Sequence, residues 1–171
     1  MSTQPLGFQH EYAIKLIIRP DRDDSPFSVP ENGIQFQITN PRNLKIFGLY
    51  VPAIDPLPKK ACVIALHGNG GNCDMMSYFS DHYVKNRVSF ACLDFSGCGI
   101  SEGEYISLGY YEKDDVIAVM DSLRKTFQIE DFGLHGYSMG AATALRVLAI
   151  RPEIKGAILD SPYTSILGFL E

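Results

Sequence analysis

The sequence predicts an α/β fold: a mostly parallel sheet with helices on both faces, entered through antiparallel strands. Three observations predict it. From residue 61 onward, short continuous apolar runs alternate with helical patterns, as expected of strands covered on both faces and joined by crossover helices. Before residue 61 the apolar residues instead recur with period two, Ile34, Phe36 and Ile38 sharing one face. Finally, residues 130–151 read as strand, glycine-flanked sharp turn and helix in immediate succession.

The elements follow in order. Residues 11–18 (Glu-Tyr-Ala-Ile-Lys-Leu-Ile-Ile) read as a strand, and the polar, proline-bearing stretch 21–30 as a loop. Strands at 33–39 and 44–51 precede a linker, 52–60, that carries three prolines. The run 61–67 is a buried strand, 68–72 a turn and 74–86 a helix. Another buried strand at 88–93 leads into a loop, 94–108. Residues 111–127 form a helix, with Val116, Ile117, Val119, Met120 and Leu123 at helical spacing. The segment 130–135 is a strand, and the helix after it runs to Arg151, where Pro152 ends it. A last apolar strand at 155–160 is followed by the start of a helix at 164–170. No internal repeat interrupts this order. Residues 1–51 are too few for a core of their own, so the 171 residues are expected to form one domain.

Bulk properties exclude several classes of function. Fifteen basic and 20 acidic residues give a net charge of -5, and no Lys/Arg cluster offsets it, which argues against a nucleic-acid partner. The longest apolar runs are too short to cross a bilayer, so no transmembrane segment is expected. The first residues, Met1-Ser2-Thr3-Gln4-Pro5, carry neither a secretory signal nor a myristoylation glycine. The four cysteines are Cys62, Cys73, Cys92 and Cys98, without a C-x-x-C pair. Cys62 and Cys92 fall in strand-like runs and are expected to be reduced and buried, which points to a cytoplasmic protein with free thiols.

The chemistry centres on Gly136-Tyr137-Ser138-Met139-Gly140. A G-x-S-x-G turn between strand and helix holds one serine hydroxyl in the open at strained backbone angles, and side chains at 136 or 140 would collide across the turn. Ser138 is therefore the candidate nucleophile. A serine hydroxyl reacts only when a base takes its proton and donors stabilise the oxyanion. The backbone N–H of Met139 is one candidate donor. The glycine-rich turn after the first buried strand, Leu66-His67-Gly68-Asn69-Gly70-Gly71-Asn72, offers the second: the N–H of Asn69, with Gly70 next. A phosphate-binding loop is the poorer reading of that turn, because no G-K-[S/T] follows. Cys98 has no flanking histidine and is not read as a second nucleophile.

Four stretches together resemble the α/β-hydrolase superfamily, and within it the serine-aminopeptidase-like and depalmitoylase-like branch. They are residues 67–72 (His-Gly-Asn-Gly-Gly-Asn), 94–103 (Asp-Phe-Ser-Gly-Cys-Gly-Ile-Ser-Glu-Gly), the elbow at 136–140, and Leu159-Asp160-Ser161-Pro162. The resemblance implies an α/β-hydrolase core, a serine nucleophile, oxyanion donors, and no metal or organic cofactor. It makes the loop at 94–103 structural, with Asp94 bracing its own turn. It also implies a small-molecule or acylated substrate, cleaved at an ester, thioester or amide through an acyl-serine intermediate.

The chain departs from that pattern at the base. Triad members in this fold follow the order Ser, Asp or Glu, His. After Ser138 come Glu153, Asp160 and Glu171, but His10, His67, His82 and His135 all precede it. Asp160 is a candidate acid; the alternative is that it supports its own loop. The expectation is a hydrolase core lacking its last strands, either a fragment or a short homologue, with the strand at 155–160 as an open edge available for self-association. Losing a triad member costs about a million-fold in turnover, while oxyanion donors and binding retain roughly 10³–10⁴ over water. The segment alone is therefore expected to be nearly inactive. The rival reading is a non-catalytic, hydrolase-like interaction protein.

Overall fold

The structure is a computed structural model and describes residues 22–163. The strand expected at 11–18 and the helix start at 164–170 lie outside the described residues.

Among the described residues six strands form one sheet in the order β1-β2-β4-β3-β5-β6. They are β1 (Ile34–Thr39), β2 (Lys45–Val51), β3 (Ala61–Leu66), β4 (Ser89–Leu93), β5 (Asp131–Tyr137) and β6 (Gly156–Asp160). β1 and β2 pair antiparallel, β2 runs antiparallel to β4, and the remaining neighbours are parallel. The change of pattern at residue 61 is thus the change from hairpin to crossover connections. A hairpin strand with one wet face needs apolar residues only at alternate positions, whereas β4, buried at every position, is apolar nearly throughout.

Among the described residues four helices cover the sheet: α1 (Cys73–Ser77), α2 (Ser80–Lys85), α3 (Glu112–Phe127) and α4 (Met139–Leu148). One core layer gathers Val116, Val119, Met120 and Leu123 of α3 and Ala144 and Val147 of α4 against Ile64, Leu66, Leu93, Phe132 and Leu134. The other packs Cys73 and Met76 of α1 and Val84 of α2 against Leu49, Ala65, Phe90 and Cys92. Fully burying one such side chain is worth about 1.5–3 kcal/mol, so these two layers are what hold the helices in place.

Two expectations are corrected. The helix read at 74–86 is two helices. α1 closes at Tyr78, where Phe79 N–H donates to Met76 O at 3.1 Å, and Phe79 turns its ring onto His135 at 4.6 Å. The apolar spacing runs on through the break and conceals it. The second correction concerns Cys92, which is not a free thiol: Cys73 and Cys92 are joined in a disulfide. Cys62 and Cys98 are free and buried. Cys73 and Cys92 therefore give no support to a reducing compartment. Among the described residues no helix is long and apolar enough to cross a membrane.

Candidate active site

Ser138 sits between β5 and α4 at φ 51°, ψ -111°, in the left-handed region that a residue with a side chain avoids. The packing around it explains why the turn holds. A Cβ on Gly140 would stand 2.0 Å from Leu66 O, and one on Gly136 would stand 2.5 Å from the Gly140 backbone. Neither position admits a side chain, so the helix start is pressed against the end of β3. Ser138 N–H donates to Asp160 O at 2.8 Å, which ties the corner to β6.

The serine occupies the N-cap position of α4 yet makes no capping hydrogen bond with its side chain. An N-cap serine ordinarily accepts from a first-turn N–H. The positive φ turns the hydroxyl away from that role. The first intrahelical bond is Ala142 N–H to Ser138 O at 3.0 Å, so the N–H groups of Met139, Gly140 and Ala141 have no intrahelical acceptor. Met139 thus presents an N–H directly after the serine.

The turn after β3 lies against this corner. A Cβ on Gly68 would be 3.6 Å from Ser138 Cβ and 3.0 Å from the Tyr137 ring. Gly71 N–H closes the turn onto Gly68 O at 3.1 Å, with Gly70 at φ 71°. Asn69 and Gly70 are exposed at its tip. A backbone hydrogen bond from Gly70 bears on the buried Cys98 thiol, whose pKa burial pushes up to about 12.

Two of the four histidines, His67 and His135, have hydrogen-bond partners of their own. His67 is fully buried, with Nδ1 2.7 Å from Gly68 O and Nε2 accepting the Phe95 N–H at 3.1 Å. That pattern requires the neutral ring with the proton on Nδ1, and burial pushes its pKa down to about 4. His135 Nδ1 is 3.0 Å from Tyr83 Oη, and partial burial lowers its pKa while the Asp160 charge opposes that shift. His82 is exposed on α2. His10 lies outside the described residues. Asp160 is exposed at the end of β6, its Oδ1 accepting the Ser161 hydroxyl at 2.8 Å.

Asp94 does more than brace its own turn. Oδ2 accepts Ile100 N–H at 2.8 Å, while Oδ1 accepts Cys73 N–H at 2.6 Å. One buried carboxylate joins the loop after β4 to the helix start beside the Asn69 turn. Burial raises its pKa, against the pull of those two N–H groups. Arg22 holds the same loop by donating to the carbonyls of Gly99, Ser101 and Gly103. Two further buried acids went unread in the sequence. Glu112 accepts from Ser107 and Gly109 N–H, both at 2.7 Å; Asp115 accepts from Asn40 at 2.6 Å and Ser96 N–H at 2.9 Å. Their one signal was position: both lie in the first turn of α3, where carboxylates meet free N–H groups. Among the described residues no cluster of three or more His, Cys, Asp or Glu could hold a metal ion.

Comparison with known proteins completes the picture. The sequence profile of the family described as serine aminopeptidase, S33, matches residues 58–167. The monoglyceride lipase of Mus musculus is 32% identical over 108 residues, covering 60% of this chain and 35% of the lipase. The esterase PF2001 of Pyrococcus furiosus superposes with a TM-score of 0.67 at 27% identity, covering 83% of this chain and 58% of the esterase. An α/β-hydrolase-fold protein of Agrobacterium tumefaciens superposes at 0.68 with 23% identity, covering 80% and 65%. The chain thus spans about a third of the mouse lipase and under two thirds of either solved structure.

Proposed function

The chain belongs to the serine aminopeptidase S33 family of the α/β-hydrolase superfamily, and from that premise we propose that Ser138 is the nucleophile of a serine hydrolase. The observation that carries the reading is the corner itself: a non-glycine residue at φ 51° whose hydroxyl caps nothing. A fold maintains such strain, of order 1–3 kcal/mol, where the surroundings over-determine it, and such sites cluster where chemistry is done.

In this reading Ser138 Oγ attacks the carbonyl carbon of an acyl substrate. The carbonyl oxygen becomes an oxyanion, held by the N–H groups of Met139 and Asn69, and the leaving group departs as the acyl-serine forms. Water then releases the acid. Of ester, thioester and amide, we favour an ester, on the names of the Pyrococcus furiosus esterase and the mouse monoglyceride lipase. The hydroxyl proton needs an acceptor. His67 and His135 are engaged by Gly68, Phe95 and Tyr83, so neither is the free base this step needs, and slow attack is expected. Asp160 stands as the candidate acid of the relay. The same engagement of the histidines supports the rival reading, an interaction protein with a hydrolase fold.

Prolonged treatment with excess fluorophosphonate, followed by peptide mass spectrometry, separates the two. The expected result is a slow, single adduct on Ser138, accelerated by added imidazole and absent from Ser138→Ala. An unmodified serine, or adducts that persist in Ser138→Ala, rejects the nucleophile and favours the interaction protein.

A further inference from the structure

Glu112 and Asp115 are both fully buried in the first turn of α3, but they are held differently. Asp115 faces Arg42 at 3.4 Å. Glu112 is held by the turn before the helix: it accepts Ser107 N–H and Gly109 N–H, both at 2.7 Å, and the Ser107 hydroxyl at 2.6 Å. Tyr111 N–H donates to that hydroxyl oxygen at 2.7 Å, so the hydroxyl proton is directed to the carboxylate. Between the two anchored residues Leu108 stands at φ 54°, which a residue with a side chain keeps only when its surroundings impose it. Burying a carboxylate is costly unless its oxygens are hydrogen-bonded, so turn and carboxylate hold each other.

This turn meets the Ser138 corner by two routes. A Cβ on Gly109 would stand 3.2 Å from Thr143 Oγ1 and 3.3 Å from Arg146 Nε, so the Gly109 backbone packs directly on α4. Thr143 in turn donates its hydroxyl to Met139 O at 2.8 Å. On the other side, Leu108 O accepts the Tyr163 hydroxyl at 3.1 Å, and earlier in that same segment Asp160 O accepts the Ser138 N–H at 2.8 Å. We propose that Glu112 is a positioning residue for the corner: it fixes the 107–109 turn against which the first turn of α4 and residues 160–163 are set. The proposal rests on the reading of Ser138 as the nucleophile and Met139 as an oxyanion donor. Asp115, which holds Asn40, Arg42 and Ser96 instead, is the matched control.

Two measurements on the 171-residue chain test it. The first is amide hydrogen exchange by NMR at Ser138 and Ala142, whose N–H groups donate to Asp160 O and Ser138 O. The second is the rate of fluorophosphonate labelling at Ser138 with imidazole supplied. In Glu112→Gln an amide N–H₂ replaces one acceptor oxygen; exchange at both positions rises about tenfold relative to the amides of β3, and labelling slows about tenfold. Asp115→Asn removes an equally buried carboxylate, and a general loss of stability would raise all exchange together, so both readouts stay within about twofold of the wild type. Tyr163→Phe leaves the buried cluster intact and shifts both readouts in the direction of Glu112→Gln, which keeps the test open should that variant fail to fold. The proposal is overturned by a Glu112→Gln chain that exchanges like the wild type at Ser138 and Ala142. An Asp115→Asn chain that slows labelling as much, or a Tyr163→Phe chain indistinguishable from the wild type, overturns it as well. If the wild-type Ser138 takes no label, the nucleophile falls, and the exchange contrast alone decides whether Glu112 holds the corner.

Discussion

At Ser138 the side chain is set by its neighbours having none. Gly140 and Gly136 are required for different reasons from most glycines: their φ angles are ordinary, but a methyl group has nowhere to go. Gly140→Ala would drive a carbon against Leu66 O, a backbone atom that can yield only if β3 moves. We expect this substitution to cost about 3 kcal/mol, the upper end for overpacking. Gly136→Ala should behave alike. Gly156→Ala is the control, since nothing lies within 4 Å of its added carbon, and it should change stability by less than about 0.5 kcal/mol. Urea unfolding of the three variants checks the ordering; a tolerated Gly140→Ala would mean the helix start is looser than described. These glycines were legible in the sequence because G-x-S-x-G states a local steric rule. The partner of Gly140 was not, since Leu66 is distant in sequence and the contact is made only when β3 and β5 pair.

Among the elements, those whose burial is set by their own sequence were legible. β3 and β4 are apolar runs because each is flanked by strands and covered by helices, and α3 shows its core face at helical spacing. The α1–α2 break and the Cys73–Cys92 bridge were hidden because both depend on what lies across the core. Cys73 opens α1 directly after Asn72, whose side chain accepts the Met75 N–H at 3.3 Å, and Cys92 is the fourth of five residues in β4, an interior strand of the sheet. The bridge therefore fastens the helix start that follows the Asn69 turn to the middle of the sheet. It spans 19 residues of sequence, and in the chain-entropy view a loop of that length stabilises by about 3 kcal/mol through restriction of the unfolded chain. Replacing both cysteines with serine should lower unfolding stability by about that amount, and treatment of the wild type with a dithiol during unfolding should match it. A non-reduced digest should yield one peptide joining residues 73 and 92. Four titratable thiols in the denatured, unreduced chain would contradict this.

Across the whole molecule, buried ionisable groups pull stability in opposite directions with pH, and the balance is predictable in sign. His67 is neutral in the fold, with a pKa near 4 against an ordinary 6.5. Between those values the unfolded chain binds a proton that the folded chain does not, so stability is lost as pH falls from 6.5 toward 4. At pH 5 the loss from this ring is about 2 kcal/mol relative to pH 7, on about 1.4 kcal/mol per pKa unit. His135, lowered by partial burial, adds in the same direction. Asp94 and Asp115 oppose it. Burial raises both, so the fold binds their protons before the unfolded chain does, and stability is gained as pH falls through their raised values toward 3.8. Both carboxylates also accept N–H groups, which favour the charged form and work against burial. The His67 loss should therefore lower the urea midpoint between pH 7 and pH 5. His67→Gln, which keeps an acceptor for the Phe95 N–H but does not titrate, should flatten that fall; a variant whose midpoint falls as steeply as the wild type's would contradict the assignment to His67.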